Sequence, residues 1–202
     1  RQVERLIMPR FEVLNNEQPL QVDEQGRPLE QLAYATDGEG MLMAAVTGAD
    51  TLLITKFAAE QNFLTGEISL TPKYEQRKMT ASIRDIAVTP DLNKVFALIN
   101  NRIVVYSVSM SGAVSESQVI TLNGRQFGQA QSLHLMPGAA TVLVTHESGV
   151  ISQWFEVPTD EGRTFKYIRQ FDAGGQIVDL EVEDYRRTFY AVTHDGKLNI
   201  FH

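Results

Sequence analysis

The chain is predicted to be all-β, and three observations support that fold class. Strands begin near four regularly spaced positions, Leu52, Ile103, Ile151 and Leu198, which lie 51, 48 and 47 residues apart. Such a period is typical of propeller blades and similar arrays. Each of these strands follows an apolar run and a short polar turn, and no window carries a sustained helical pattern of apolar residues. We therefore predict a β-propeller-like array of about four four-stranded blades, forming either a complete or a partial propeller.

A tight hairpin is predicted at each of these positions, in segments 46–54, 98–106, 144–154 and 192–201. Three of the turns contain residue pairs that tolerate the positive φ of short hairpins: Asn100-Asn101, Ser148-Gly149 and Asp195-Gly196. Each unit thus contributes at least two antiparallel strands.

Two further strands per unit are predicted from alternating apolar positions. The inner strands contain Leu32 and Tyr34, Ile86 and Val88, Leu133 and Leu135, and Leu180 and Val182, and their first members lie 54, 47 and 47 residues apart. A fourth strand is predicted before each set, at Phe11–Leu14, Glu67–Leu70, Gln118–Leu122 and Tyr167–Phe171. Four short strands are what a propeller blade requires.

Some strands are apolar on both faces, which predicts that the units stack. Ile103–Tyr106 and Thr141–Val144 place apolar side chains on both sides of a strand, because successive residues point in opposite directions. Such strands need a neighbouring sheet above and below. Aromatic residues close the third strand of three units, at Tyr106, Trp154 and Phe201, where the first unit has Thr55. We expect these rings to pack between blades rather than to stack on a ligand.

The chain is interpreted as a single domain, with an N-terminal strand and connection in residues 1–28 and blades in residues 29–202. The units lie near 29–71, 83–122, 131–171 and 177–202. Because the chain starts at Arg1 and stops within a predicted strand, we expect a segment of a longer polypeptide. The array could be a four-bladed ring, an open fragment, or half of an eight-bladed ring made by two chains. Phe11–Leu14 could also join the last unit.

The charge balance disfavours two classes of partner. The net charge is −7 and the pI is near 5.1, which argues against nucleic acid and anionic membrane surfaces. The densest basic cluster, Lys73–Lys78, also contains Glu75 and is predicted to be a solvated loop. There is no Cys, so disulfides, thiolate metal sites and cysteine nucleophiles are excluded. No apolar run approaches the roughly 18 residues of a membrane span.

No catalytic, cofactor-binding or metal-binding residue is predicted. Thr145-His146-Glu147 and Thr193-His194-Asp195 recur at one repeat position, and we favour turn formation over a metal site there. The Ser-Gly pairs at 111–112 and 148–149 lack a nucleophile elbow. The segments Gly124–Gly128 and Asp172–Gly175 are interpreted as connections rather than phosphate loops. The charges at 181–184 are interpreted as a solvated turn, and the protein is not expected to be an enzyme.

Segments 83–108 and 131–157 resemble degenerate WD-type repeats: strand, turn, strand, tight turn, and a strand closing on an aromatic residue. The 29–202 stretch as a whole resembles the large insert of long bacterial permeases similar to the phosphate ABC transporter permease. That resemblance implies a propeller-like domain that follows the first membrane helix, on the periplasmic side of the bacterial inner membrane. Contact with the membrane would then be made only through segments outside this chain.

The resemblance further implies a non-catalytic accessory domain that needs no cofactor. Its partners would be proteins, either transporter subunits or the solute-binding protein, and self-association is a further option. Two alternatives from other classes stay open on the sequence. One is a propeller enzyme with a site at the central channel, and the other is a structural scaffold for an envelope or intracellular assembly.

Overall fold

A computed structural model of the chain describes residues 27–38, 40–138 and 141–202, apart from the side chains of residues 58–60 and 70. In these residues the chain forms antiparallel sheets whose strands are arranged in chain order. The sheets are named blades 1 to 4. The predicted all-β, propeller-like fold is confirmed.

Three blades have four strands each, and the described part of blade 4 has three. Blade 1 consists of β1 (Leu29–Thr36), β2 (Gly40–Thr47), β3 (Thr51–Gln61) and β4 (Ile68–Lys78). Blade 2 consists of β5 (Ile83–Val88), β6 (Lys94–Ile99), β7 (Arg102–Val108) and β8 (Val114–Thr121). A short helix, α1 (Gly124–Phe127), leads to blade 3. Blade 3 consists of β9 (Ala130–Leu135), β10 (Thr141–His146), β11 (Val150–Thr159) and β12 (Gly162–Asp172). Blade 4 consists of β13 (Ile177–Val182), β14 (Phe189–Thr193) and β15 (Leu198–Phe201).

The fourth strand of each four-stranded blade follows the other three along the chain, so the predicted order was wrong. In blade 1, β4 pairs with β3 from Thr51 opposite Lys78 to Gln61 opposite Ile68. The predicted strand Glu67–Leu70 is therefore the start of a longer strand that completes the preceding blade. The basic segment Lys73–Lys78 belongs to the same strand and is not a loop. Its polar side chains suit an edge strand, because one side of such a strand faces solvent. The predicted strand Phe11–Leu14 lies outside the described residues.

The tight turns before the third strands use left-handed backbone conformations, as predicted. Asn100, Gly149 and Gly196 have φ values of 53°, 87° and 84°. Gly149 also lies where blades 3 and 4 meet, because a Cβ atom there would collide with the backbone carbonyl oxygen of Gly175. Gly196 has open space around the corresponding position.

The described residues form three apolar core clusters, one between each pair of successive blades. Strand β7 illustrates the arrangement. Val104 and Tyr106 belong to the cluster shared with blade 1, whereas Ile103 and Val105 belong to the cluster shared with blade 3. The prediction that this strand is buried on both faces is confirmed.

The aromatic residues that close the third strands pack within or against these clusters. Tyr106 is buried in the first cluster and Trp154 in the second. Phe201 packs against the third cluster, with its ring centroid 5.0 Å from that of Phe189 and 5.3 Å from that of Phe171. The expected role in packing between blades is confirmed for all three.

Replacing Gly149 by Ala should destabilise the chain more than replacing Gly196 by Ala. Both substitutions place a side chain at positive φ, which costs about 1 kcal/mol. Only Gly149→Ala adds the collision with Gly175, and we expect its total cost to be at least about twice that of Gly196→Ala. Urea denaturation of both variants measures the difference, and equal losses would contradict the close approach of blades 3 and 4.

Candidate interaction surfaces and inter-blade polar residues

The hairpin that joins β3 to β4 carries apolar side chains into solvent. Phe63 and Leu64 are 95% and 97% exposed, and Ile68 is 60% exposed. We call these three residues the apolar tip. The turn is ordered by hydrogen bonds: the Asn62 side-chain Oδ1 accepts the Leu64 N–H at 2.9 Å, and the Asn62 carbonyl oxygen accepts the Gly66 N–H at 2.7 Å. The apolar side chains are thus presented on a hydrogen-bonded turn.

The base of this hairpin is fastened to blade 2. The Lys56 ammonium donates to the Leu92 carbonyl oxygen at 2.8 Å. The Arg77 guanidinium donates to the Val114 carbonyl oxygen at 3.2 Å and to the Glu75 carboxylate at 2.6 Å.

The hairpin also extends beyond blade 2. Gly112, in the turn between β7 and β8, lies against Lys73, because a Cβ atom there would be 2.6 Å from the Lys73 Cβ. Lys73 pairs with Lys56, and the β3–β4 ladder continues for five more residue pairs, from Phe57 opposite Pro72 to Gln61 opposite Ile68. At about 3.3 Å per residue, the hairpin projects roughly 16 Å past this contact.

His146 is a buried structural residue. It is the last residue of β10 and is fully buried. Its Nδ1 lies 3.1 Å from the Gly128 carbonyl oxygen, which has no proton to give, so Nδ1–H donates there and Nε2 accepts from the Ser152 hydroxyl at 2.7 Å. The Trp154 indole N–H donates to the same hydroxyl oxygen at 2.9 Å. Burial lowers the pKa of His146, although the hydrogen bond to Gly128 raises it.

The equivalent segment in blade 4 forms a turn, as predicted. The Thr193 hydroxyl donates to the Asp195 carboxylate, and the Lys197 ammonium lies 2.8 Å from that carboxylate. The hydrogen bonds from Lys197 and Thr193 lower the pKa of Asp195 to about 2. Across residues 27–38, 40–138 and 141–202, no cluster of three or more His, Asp or Glu side chains is arranged to hold a metal ion.

A set of polar residues on the inner strands links successive blades, and sequence reasoning missed it. Gln31 and Asp85 occupy equivalent positions, 54 residues apart. The Gln31 amide donates to the Ile83 carbonyl oxygen at 2.9 Å. The Asp85 carboxylate accepts the Ile86 N–H at 2.9 Å and, across the blade boundary, the Leu133 N–H at 2.7 Å. Burial raises the pKa of Asp85, and these two hydrogen bonds lower it.

The next two positions of this series are Ser132 and Asp179, each 47 residues further along the chain. The period that located the strands therefore also contained the signal for these polar residues. Of the four, Gln31 and Asp85 make a hydrogen bond to the following blade.

Ser132 connects two other polar side chains. Its hydroxyl lies 2.8 Å from His134 Nε2 and also hydrogen-bonds the buried Thr145 hydroxyl. Burial lowers the pKa of His134 to about 4, against a smaller opposing effect of the Asp179 charge. The imidazole is therefore neutral at pH 7, and its Nε2 can accept a hydrogen bond from the Ser132 hydroxyl. A serine hydroxyl next to a neutral imidazole is an arrangement that nucleophile–base pairs use. Here the same hydroxyl also hydrogen-bonds to the Thr145 hydroxyl.

The segments interpreted as connections have that role in the structure. Gly124–Phe127 forms α1 between β8 and β9, with Asn123 accepting the Gln126 N–H at its start. Asp172–Gly175 joins β12 to β13. The acidic run at 181–184 begins at the end of β13 and continues into the turn before β14, where Glu183 lies 3.7 Å from Arg186.

No protein-family model matches the sequence, and no curated protein matches it significantly. Solved structures do match. A putative 6-phosphogluconolactonase from Bacteroides fragilis shares 15% identity at a TM-score of 0.61, over 91% of this chain and 53% of its own. One from Bacteroides uniformis shares 17% identity at a TM-score of 0.55, over 83% of this chain and 51% of its own. The WD40 domain of SCAP from fission yeast shares 14% identity at a TM-score of 0.60, over 87% of this chain and 42% of its own.

The fold is propeller-like. At these identities the comparisons concern the fold alone, and the chain spans about half the length, or less, of the structures it matches. The expected resemblance to WD-type repeats is supported at the level of the fold. No helix in the described part of the chain is long and apolar enough to cross a membrane.

Neutral His134 should make stability depend on pH. The pKa of His134 is about 4 in the folded chain and near its ordinary 6.5 after unfolding, so the unfolded chain binds more protons between these values. The neutral imidazole makes its whole contribution to the free energy of unfolding above pH 6.5. As the pH falls towards 4 this contribution is lost, which lowers the free energy of unfolding by about 3 kcal/mol. We expect His134→Gln to reduce this loss and His194→Gln, at an exposed site, to leave it unchanged. Urea denaturation at several pH values measures both, and identical pH profiles for His134→Gln and the parent chain would contradict the assignment.

Proposed function

We propose that this chain is a non-catalytic interaction domain. In its specific form, the proposal is an accessory domain of a bacterial phosphate-type ABC transporter permease that docks the solute-binding protein on the periplasmic side. The apolar tip is the observation on which the interaction function rests. Large apolar side chains are expensive to leave in water, and those that a protein keeps exposed together commonly mark a binding surface.

The construction of the hairpin supports docking by a preorganised element. The hydrogen bonds within the turn and those from Lys56 and Arg77 to blade 2 hold the hairpin before any partner arrives. Preorganisation lowers the entropy lost on binding, because the side chains that make contact are already positioned. Loops projecting from a rigid β scaffold are a common way of presenting a binding surface.

The resemblance of residues 29–202 to the insert of long phosphate-type permeases supports the choice of partner. A domain in that position would meet the solute-binding protein as it delivers its cargo to the membrane segments. The acidic net charge of −7 favours a protein partner over an anionic lipid surface, because like charges repel.

Association with the phosphate-binding protein of the same uptake system tests the proposal. We expect the chain to bind that protein in isothermal titration, and the double variant Phe63→Ser/Leu64→Ser to bind at least about tenfold more weakly, as expected for apolar anchors at an interface. Tyr185→Ser is the matched control. Tyr185 is 96% exposed but lies in blade 4, so its loss should leave the affinity unchanged.

Three results would count against the proposal. No association at high micromolar concentration would remove the solute-binding protein as the partner. Equal weakening by the tip variant and the Tyr185 variant would remove the apolar tip as the binding surface. Hydrolysis of a sugar lactone that Ser132→Ala abolishes would instead favour the alternative of a propeller enzyme.

A further inference from the structure

The outward side of blade 4 has an exposed apolar face. In the sheet register Val192 lies opposite both Asp179 and Leu198, and Tyr190 lies opposite Ile200, so these side chains share one side of the sheet. Leu198 is 62% exposed and Ile200 is 54% exposed. The other side of the blade, with Phe189 and Ala191, is buried against blade 3. Glu181 also lies on this side, since it pairs with Tyr190. We call the side formed by Asp179, Glu181, Tyr190, Val192, Leu198 and Ile200 the open face.

The apolar positions of the open face match those of a face that is covered in blade 2, although Glu181 stands where blade 2 has Ala87. Phe96 pairs with Val105 and Leu98 pairs with Ile103, as Tyr190 pairs with Ile200 and Val192 pairs with Leu198. The four side chains of blade 2 are at most 1% exposed, because blade 3 covers them. Blade 4 therefore repeats an inter-blade surface at positions 94 or 95 residues further along the chain.

Asp179 occupies the position of Asp85, whose carboxylate makes the polar contact between blades 2 and 3. Like Asp85, it follows a register shift in the inner strand and accepts the N–H of the next residue, in both cases at 2.9 Å. The other carboxylate oxygen of Asp85 accepts the Leu133 N–H of the following blade at 2.7 Å. Asp179 is exposed, and in the described part of the chain it makes no hydrogen bond to another blade.

We propose that the open face docks a further propeller blade of the same polypeptide. The inner strand of that blade donates a backbone N–H to Asp179, and its apolar side covers Leu198 and Ile200. The solved structures that match this chain are about twice its length, since it covers 53%, 51% and 42% of them. A second open face is a poor occupant by comparison, because two copies would bring the carboxylates of Asp179 and Glu181 from both chains into one interface.

A chain extended by a copy of blade 3 tests the proposal, because blade 3 covers the equivalent face of blade 2. Phe201 is equivalent to Tyr106, so residues 1–201 followed by a copy of residues 107–172 keep the repeat in register and supply a fourth strand plus a copy of blade 3. We expect this chain to melt several degrees above the 202-residue chain, because the added blade buries the open face. The appended copy of the Leu133 amide should be protected from hydrogen exchange.

Asp179→Asn isolates the proposed hydrogen bond. Asparagine keeps one acceptor oxygen for the Leu180 N–H and loses the second. Above pH 7, where His134 is neutral, the substitution should lower the melting temperature of the extended chain by a few degrees, speed exchange at the appended Leu133 amide, and leave the 202-residue chain unchanged. Asp184→Asn, on an exposed turn of the same blade, is the control and should affect neither chain.

Three results would overturn the proposal. In the first, the appended blade exchanges its amides freely while blades 1 to 4 stay protected. In the second, Asp179→Asn changes the melting temperatures of both chains equally, or of neither. In the third, light scattering shows that the 202-residue chain is a dimer and that Ile200→Ser makes it a monomer, so that a second copy is the occupant.

Discussion

The structure depends on one constraint, which is that its sheets are apolar on both sides. Exposing either side of such a sheet to water costs free energy in proportion to its apolar area, so successive blades pack side by side. Strand β7 shows the constraint directly, since Ile103 and Val104 are both buried but in different clusters. Stacking is therefore the way in which each blade acquires a core, and an array follows from it.

Apolar burial holds the blades together, and the polar residues of the inner strands fix how they meet. The Asp85 carboxylate reaches the Leu133 N–H of the following blade, and Gln31 reaches the Ile83 carbonyl oxygen. A hydrogen bond has a preferred distance and direction, which apolar contact lacks. The apolar tip lies outside these contacts, because its side chains are exposed to solvent. The same fold thus has a repetitive centre and a singular hairpin.

The sequence was informative about the apolar positions that every blade repeats, and less informative about polar strands and side-chain contacts. The spacing of Leu52 and Ile103 located strands because every blade must place an apolar run at the same distance from a turn. Residues Lys73–Lys78 were predicted to be a loop because most of their side chains are polar. They form part of β4, since an edge strand needs backbone pairing more than apolar side chains. The hydrogen bond between Asp85 and Leu133 was missed because the sequence does not show which group a carboxylate in an apolar strand will bind. The apolar tip had no periodic signal at all.

The central claim is that burial between blades, rather than strand preference, stabilises the array. Ile103→Ala and Leu198→Ala test it most directly, because the two residues occupy equivalent repeat positions but are 0% and 62% exposed. Urea denaturation should show that Ile103→Ala lowers the free energy of unfolding by about 2–5 kcal/mol. Leu198→Ala should lower it by less than about 1 kcal/mol. Equal losses from the two substitutions would contradict the claim.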